Sequence, residues 1–136
     1  MKIFREKDLA TNVIEGATVA VLGYGNQGHA HALNLRDSGV EVIVGGRPGG
    51  DGWKRAQAAG FAPREMAAAT AKADIVAILL PDEIQGDVFA ADIRPNLREG
   101  AALVFAHGFA IAFGVVDVPA GHDVMLVAPK GQGHYL

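Results

Sequence analysis

Short apolar runs rich in β-branched residues alternate along this chain with helix-forming segments, and glycine-bearing loops follow several of the runs. Such alternation predicts right-handed βαβ units, hence an α/β domain with a doubly wound, mainly parallel sheet. The loops then fall along the carboxyl edge of the sheet, where ligands bind in folds of this class. With 136 residues, half of them hydrophobic, the chain is expected to form a single domain, residues 1–136, with a real core.

Each element has its own signal. Residues 1–16 carry mixed charge and end in Gly16, and "ATVAVLG" (17–23) reads as the first buried strand. The segment from Gly28 to Ser38 reads as a helix stopped by Gly39, and "VEVIVG" (40–45) as the second strand. After the loop "GGRPGGDG" (45–52), "WKRAQAAG" (53–60) is a helix that again ends in glycine, and "PREMAAATAKA" (63–73) consists of helix formers. The continuous apolar run "DIVAILLP" (74–81) suits a strand covered on both faces, followed by a short helix "DEIQGDVFA" (82–90). Two more strands are expected in "AALVFAHG" (101–108) and "DVMLVAP" (123–129).

Composition narrows the function classes. A net charge of −3 offers no basic field for nucleic acid. No window approaches the roughly 20 apolar residues a membrane span needs, and the start lacks a signal-peptide stretch. Zero cysteines exclude disulfides, thiolate metal sites and a cysteine nucleophile, and fit a reducing compartment; a cytoplasmic location is expected.

Gly23, Gly25 and Gly28 form G-x-G-x-x-G between a strand end and a helix start, the context in which the pattern binds a dinucleotide pyrophosphate. Gly23 allows the tight turn, Gly25 the approach of the pyrophosphate, and Gly28 close packing of helix on strand; a purely structural turn is the alternative. At the second strand's tip, where an NAD site usually carries an acidic residue, stand Gly45, Gly46 and Arg47. Arg47 can pair with a 2′-phosphate, lie over adenine, or remain a solvated loop residue. Asp51 in the same loop repels a phosphate yet accepts bonds from a free ribose.

His29 and His31 in "GHAHA" point in different directions on a helix, so they read as packing and helix-start hydrogen-bonding residues rather than metal ligands. His107, directly after an apolar strand, can orient a substrate carbonyl or a water, or merely cap the strand end. Asp82, Glu83 and Gln85 are polar groups at the same edge, with a helix N-cap an equal explanation for Asp82. Lys130 meets an anionic substrate or is solvated.

"GYGNQGHAHALNLRDSGV", "ILLPDE", "FAHGF" and "APKGQGH", in this order, resemble the amino-terminal domain of ketol-acid reductoisomerase (acetohydroxyacid isomeroreductase), over about residues 2–134. The resemblance implies a Rossmann-type domain that binds NADPH. It also implies a two-step reaction: Mg²⁺-dependent alkyl migration in 2-acetolactate or 2-aceto-2-hydroxybutyrate, then hydride reduction to the 2,3-dihydroxy acid. It assigns Tyr24, Gly25, Asn26 and Gln27 to the pyrophosphate turn and Arg47 to the adenine side. Asp82, Glu83, Ile84 and Gln85 become a second cofactor-contact segment, His107 the active-site histidine, and Gly133 a glycine near the nicotinamide.

Three departures from the family pattern carry expectations. Gly50 and Gly52, with Asp51 between them, stand where the family commonly has serines that bind the 2′-phosphate, which predicts weaker NADPH relative to NADH. Ala110 and Ala112 replace Asn and His, and Gln132 a proline, predicting an altered active-site rim. The chain stops at Leu136, whereas the family continues through a helical domain with the Mg²⁺ ligands; a sheet truncated on its C-terminal side and no isomerisation by this polypeptide alone are therefore expected. The leading expectation is a cofactor domain acting on 2-acetohydroxy acids once complemented by the helical domain. The alternatives are a non-catalytic dinucleotide-binding or sensor module and a decayed, unstable product. An exposed sheet edge leaves a homo-oligomer open.

Overall fold

A computed structural model of the chain describes residues 3, 5–8 and 13–131. Its elements are β1 (Thr18–Leu22), α1 (Asn26–Asp37), β2 (Glu41–Gly45), α2 (Asp51–Ala58), α3 (Met66–Thr70), β3 (Ile75–Ile78), α4 (Asp82–Val88), β4 (Ala102–Phe105), α5 (Phe109–Ala112) and β5 (Val124–Leu126). A π-helical turn, Phe89–Ile93, continues α4. The five strands form one parallel sheet in the order β2-β1-β3-β4-β5.

Alternation along β1 explains the two layers. Val19 and Val21 point to one face, where Ala32 of α1 and Ala56 of α2 close a core with Tyr24, Val44 and Ala77. Ala20 and Leu22 point to the other, packing with Ala69 of α3, Phe89, Ile93, Phe105 and Ala110. A strand buried on both faces must be apolar throughout, as "VAVL" is.

The helix stops read from glycine are present as Schellman caps. Gly39 (φ +80°) donates to Arg36 while Val40 donates to Leu35, and Gly60 (φ +88°) donates to Gln57 while Phe61 donates to Ala56. The starts differ from expectation: α1 begins at Asn26 and α2 at Asp51, because the extended Gly25 and Gly50 serve as N-caps. The helix expected over 63–73 shrinks to Met66–Thr70. Arg64 is held extended against β2, its N–H donating to Val44 and its carbonyl accepting from Gly46. The strands are likewise shorter than their apolar runs, and α5 is an addition that the sequence reading did not place.

Registers align the strand ends: Leu22 lies opposite Gly45 and Ile78, Ile78 opposite Phe105, and Phe105 opposite Leu126. The chain leaves β1 toward β2 on one side while β3 flanks β1 on the other, so the sheet's topological switch point lies between β1 and β3. At the far edge, Val124, Met125, Leu126 and Val127 of β5 and its exit are exposed. Among the described residues no helix is long and apolar enough to cross a membrane.

Candidate dinucleotide site

The turn after β1 sits at the switch point, and its three glycines are there for different reasons. Gly23 has φ +95°, and a Cβ on it would lie 2.8 Å from the Leu79 carbonyl oxygen at the exit of β3. A Cβ on Gly28 would collide with the Gly23 carbonyl oxygen, because α1 folds back directly onto the turn. Gly25 is unlike both: its φ is −86°, open to any residue, and a Cβ on it would meet nothing within 4 Å. Packing therefore demands glycine at two of the three positions and leaves the third facing open space.

Tyr24 turns its side chain inward. Its ring meets those of His29 and Phe61 edge-on at 5.6 and 5.8 Å, its carbonyl accepts from Arg55 (3.0 Å), and burial pushes the phenol up, partly offset by Arg36 and Arg55. Only its backbone belongs to the turn's outer surface. Asn26 is exposed at the first position of α1. Gln27 reaches the loop after β5, its Nε2 donating to the Gly131 carbonyl at 3.0 Å.

Beside the turn lies a cavity of about 320 Å³ under the tip of β2, lined by Gly23, Gly46, Arg47, Asp51, Trp53 and Ile84 among others. Arg47 and Ile84 also wall a neighbouring groove of about 490 Å³ that runs toward Asp87 and Asp92. Arg47 is exposed, and its carbonyl accepts from Gly50 at 3.1 Å to close the loop. A Cβ on Gly50 would stand 3.2 Å from that carbonyl, whereas one on Gly52 would find ordinary contact with Tyr24 at 3.5 Å. Asp51, expected in the loop, is instead the first residue of α2. Its carboxylate occupies the positive end of the helix dipole.

The exits of β3 and β4 are joined by side chains. Pro81, not Asp82, is the N-cap of α4, so the capping explanation for Asp82 does not hold; its Oδ1 faces His107 Nε2 at 3.0 Å. Nδ1 of His107 accepts from the Phe109 N–H at 3.3 Å at the start of α5. With Nδ1 accepting there, Nε2 is the ring nitrogen that faces Asp82 with its hydrogen. Gln85, 4% exposed, donates from Nε2 to the Leu80 carbonyl at 2.7 Å and to Asp82 Oδ1 at 3.3 Å. Glu83 is exposed, and Ile84 presents its side chain to the cavity.

Other expectations resolve differently. Ala110 is 1% exposed and belongs to the core, because α5 turns it inward; of the two alanines expected on the rim, only Ala112 is at the surface. His29 packs on Tyr24, and His31 is partly buried beside Leu35 and Val104, burial lowering its basicity. Lys130 is exposed. Gly133 and Gln132 lie outside the described residues. Among the described residues no three His, Cys, Asp or Glu side chains gather as a metal site. The sequence reading passed over Trp53, Met66 and Pro81, all lining the cavity under β2; the only tryptophan, one residue after the glycine loop, was the available signal.

The model of the acetohydroxy acid isomeroreductase NADPH-binding domain matches residues 13–136. The chain belongs to this family. An NADH-preferring ketol-acid reductoisomerase from an uncultured archean is 39% identical, with a TM-score of 0.92, over 99% of this chain and 42% of its own. The chain thus spans less than half the length of that ketol-acid reductoisomerase. A semialdehyde dehydrogenase NAD-binding protein from Cupriavidus necator, solved with calcium and NAD, is 27% identical (TM-score 0.69, 79% of this chain and 39% of its own). The 3-hydroxyisobutyrate dehydrogenase of Mycobacterium tuberculosis, 24% identical with a TM-score of 0.67 over 87% of this chain and 42% of its own, shares the fold. The Rossmann-type sheet is thus common to ketol-acid reductoisomerase and other oxidoreductases.

Proposed function

We propose that the crevice at the carboxyl ends of β1, β2 and β3 binds a reduced nicotinamide dinucleotide, NADH in preference to NADPH, as the hydride-donating part of a ketol-acid reductoisomerase. The observation that carries this reading is Gly25, bare where packing does not require it and flanked by two glycines that packing does require. With Gly25 open, the N–H groups of Asn26 and Gln27 at the start of α1 can approach a pyrophosphate. The adenosine lies toward the cavity under β2, with Arg47 and Ile84 as its walls. Asp51 on the dipole of α2 accepts from ribose hydroxyls and repels a 2′-phosphate, while Gly50 and Gly52 offer that phosphate no hydroxyl.

When bound, the dihydronicotinamide supplies the hydride. The alkoxide that forms as the substrate carbonyl accepts hydride needs a hydrogen-bond donor, and His107, paired through Nε2 with Asp82 at the exits of β3 and β4, is the side chain that would supply it, the proton itself coming from solvent. The substrates are 2-acetohydroxy acids such as 2-acetolactate, in branched-chain amino-acid synthesis, in the cytoplasm. The described residues do not fit Mg²⁺, so ligands for the metal-dependent alkyl migration come from the helical domain typical of the family. The reading of a non-catalytic module keeps only Ala112 in its support, because Ala110 is a core residue. Calorimetric titration with NADH and NADPH at matched salt tests the proposal. NADH binding about tenfold tighter, roughly the 1.4 kcal/mol of one charge-assisted contact, is expected. Tighter NADPH refutes the preference, and no binding by either refutes the site.

A further inference from the structure

Side chains of α4 and of the turn after β4 meet in an unbroken series of contacts that starts in the interior and ends at the surface. Gln85 is buried, and its Nε2 donates to the Leu80 carbonyl at 2.7 Å and to Asp82 Oδ1 at 3.3 Å. Asp82 Oδ1 also faces His107 Nε2 at 3.0 Å, and His107 Nδ1 accepts from the Phe109 N–H. Direction is fixed at the buried end. Both partners of the Gln85 amide are acceptors, so a flip would set its oxygen against a carbonyl and a carboxylate. The NH₂ therefore gives one hydrogen to the exit of β3 and the other to Asp82, three residues earlier on the same face of α4.

The two ends of the series are held unequally. The side chains of Asp82 and His107 are 35% and 55% exposed, and a pair with that access to water is weak and leaves both groups free to turn. Gln85 is enclosed and tied to the main chain, so it cannot turn unless the exit of β3 moves with it. Of the two groups that touch Asp82 Oδ1, the fixed one is Gln85.

We propose that Gln85 is a positioning residue for His107: it holds the Asp82 carboxylate in the rotamer that meets the imidazole, and through that carboxylate sets the direction of the His107 ring. The inference rests on the role given to His107 above and adds the buried residue behind it. Asp82 is then the intermediate, and a change at Gln85 reaches His107 only while the carboxylate is present.

The test reads the His107 ring and the Gln85 amide by NMR in the isotopically labelled, cofactor-free chain at one fixed pH. Asp82→Ala is expected to move the His107 ring nitrogens and the Gln85 amide hydrogen that faces Asp82, while the hydrogen on the Leu80 carbonyl keeps its position. Gln85→Met removes the donors at similar volume, and in that background the effect of Asp82→Ala on the His107 ring is expected to shrink severalfold. A Gln85 that only stabilises the turn would leave that effect at full size, and an undiminished effect overturns the proposal. Gln85 amide signals that ignore Asp82→Ala overturn it as well, with no change made at the buried position. Calorimetry with NADH on the unaltered chain separates the two failures. NADH binding without the Gln85 linkage overturns the positioning role alone, whereas a chain that shows the linkage and binds no NADH takes down both readings.

Discussion

Gly25→Ala separates ligand recognition from folding. The residue is extended at φ −86° and a Cβ would have open space, so alanine is accommodated without strain. Reduced freedom of the unfolded chain stabilises by about 0.4–1 kcal/mol, and exchanging glycine for alanine at an N-cap costs a similar amount. The net falls within about 0.5 kcal/mol. At roughly 2.1 cal/mol/K per residue, a chain of 136 residues shifts its Tm by less than about 2 °C for that change. The ligand response is different. NADH at 100 times its Kd stabilises the unaltered chain by about 2.7 kcal/mol, or about 9 °C. A methyl that holds the pyrophosphate off one charged hydrogen bond costs about 1.5–3 kcal/mol. With a Kd about a hundredfold weaker, the same NADH concentration gives about 0.4 kcal/mol, on the order of 1 °C. Differential scanning calorimetry with and without NADH reads both numbers. A variant that keeps the full ligand shift refutes the turn as the phosphate seat, and one whose unliganded Tm collapses refutes the claim that packing leaves Gly25 free.

Gly28→Ala is the converse: its methyl collides with the Gly23 carbonyl, so the unliganded Tm should fall by several degrees, read in the same calorimeter. Asp51→Ser with Gly52→Ser, the first an exposed position and the second one where a Cβ finds ordinary contact, should raise NADPH affinity about tenfold at matched salt with little change in Tm. Gly50→Ser should cost stability instead, because its Cβ lies 3.2 Å from the Arg47 carbonyl. His31 has a basicity lowered by burial, so the unfolded chain takes up its proton first; the stability tied to its neutral form is complete above the ordinary value of 6.5 and is lost as pH falls below it toward the lower folded value. His31→Leu should flatten the urea-unfolding free energy over that window, and an unchanged slope would show that another group titrates there.

Much of the fold was legible because its signals are local. A glycine at the C′ position writes Gly39 and Gly60 into the sequence as helix stops, and four apolar residues in a row mark β1 as covered on both faces. Longer-range forces decide where reading fails. The helix formers of 63–73 give way where Arg64 pairs with β2, a partner that propensity cannot foresee. "FAIA" is equally good as strand or helix, and only its packing of Ala110 beneath β4 makes it α5. Asp82 read as a cap because of its type and place, but Pro81 takes the N-cap position and the carboxylate faces a histidine in the turn after β4.

The same distinction applies to the site. The glycine pattern supplies three equal letters, and only the packed structure divides them into two that hold the turn and one that leaves room beside it. A parallel register that ends β1, β2, β3 and β4 level with one another brings Gly25, Arg47, Asp82 and His107 to one edge. None of these residues is close in sequence to the next, so their assembly depends on the register of the sheet. A one-residue slip of β4 would move Phe105 off the core face and break the His107–Asp82 pair at once, since side chains alternate between faces along a strand. The apolar burial that fixes Leu103 and Phe105 on one face is thus what holds the His107 ring beside Asp82, so the geometry of the edge is secured by core residues that are not part of it.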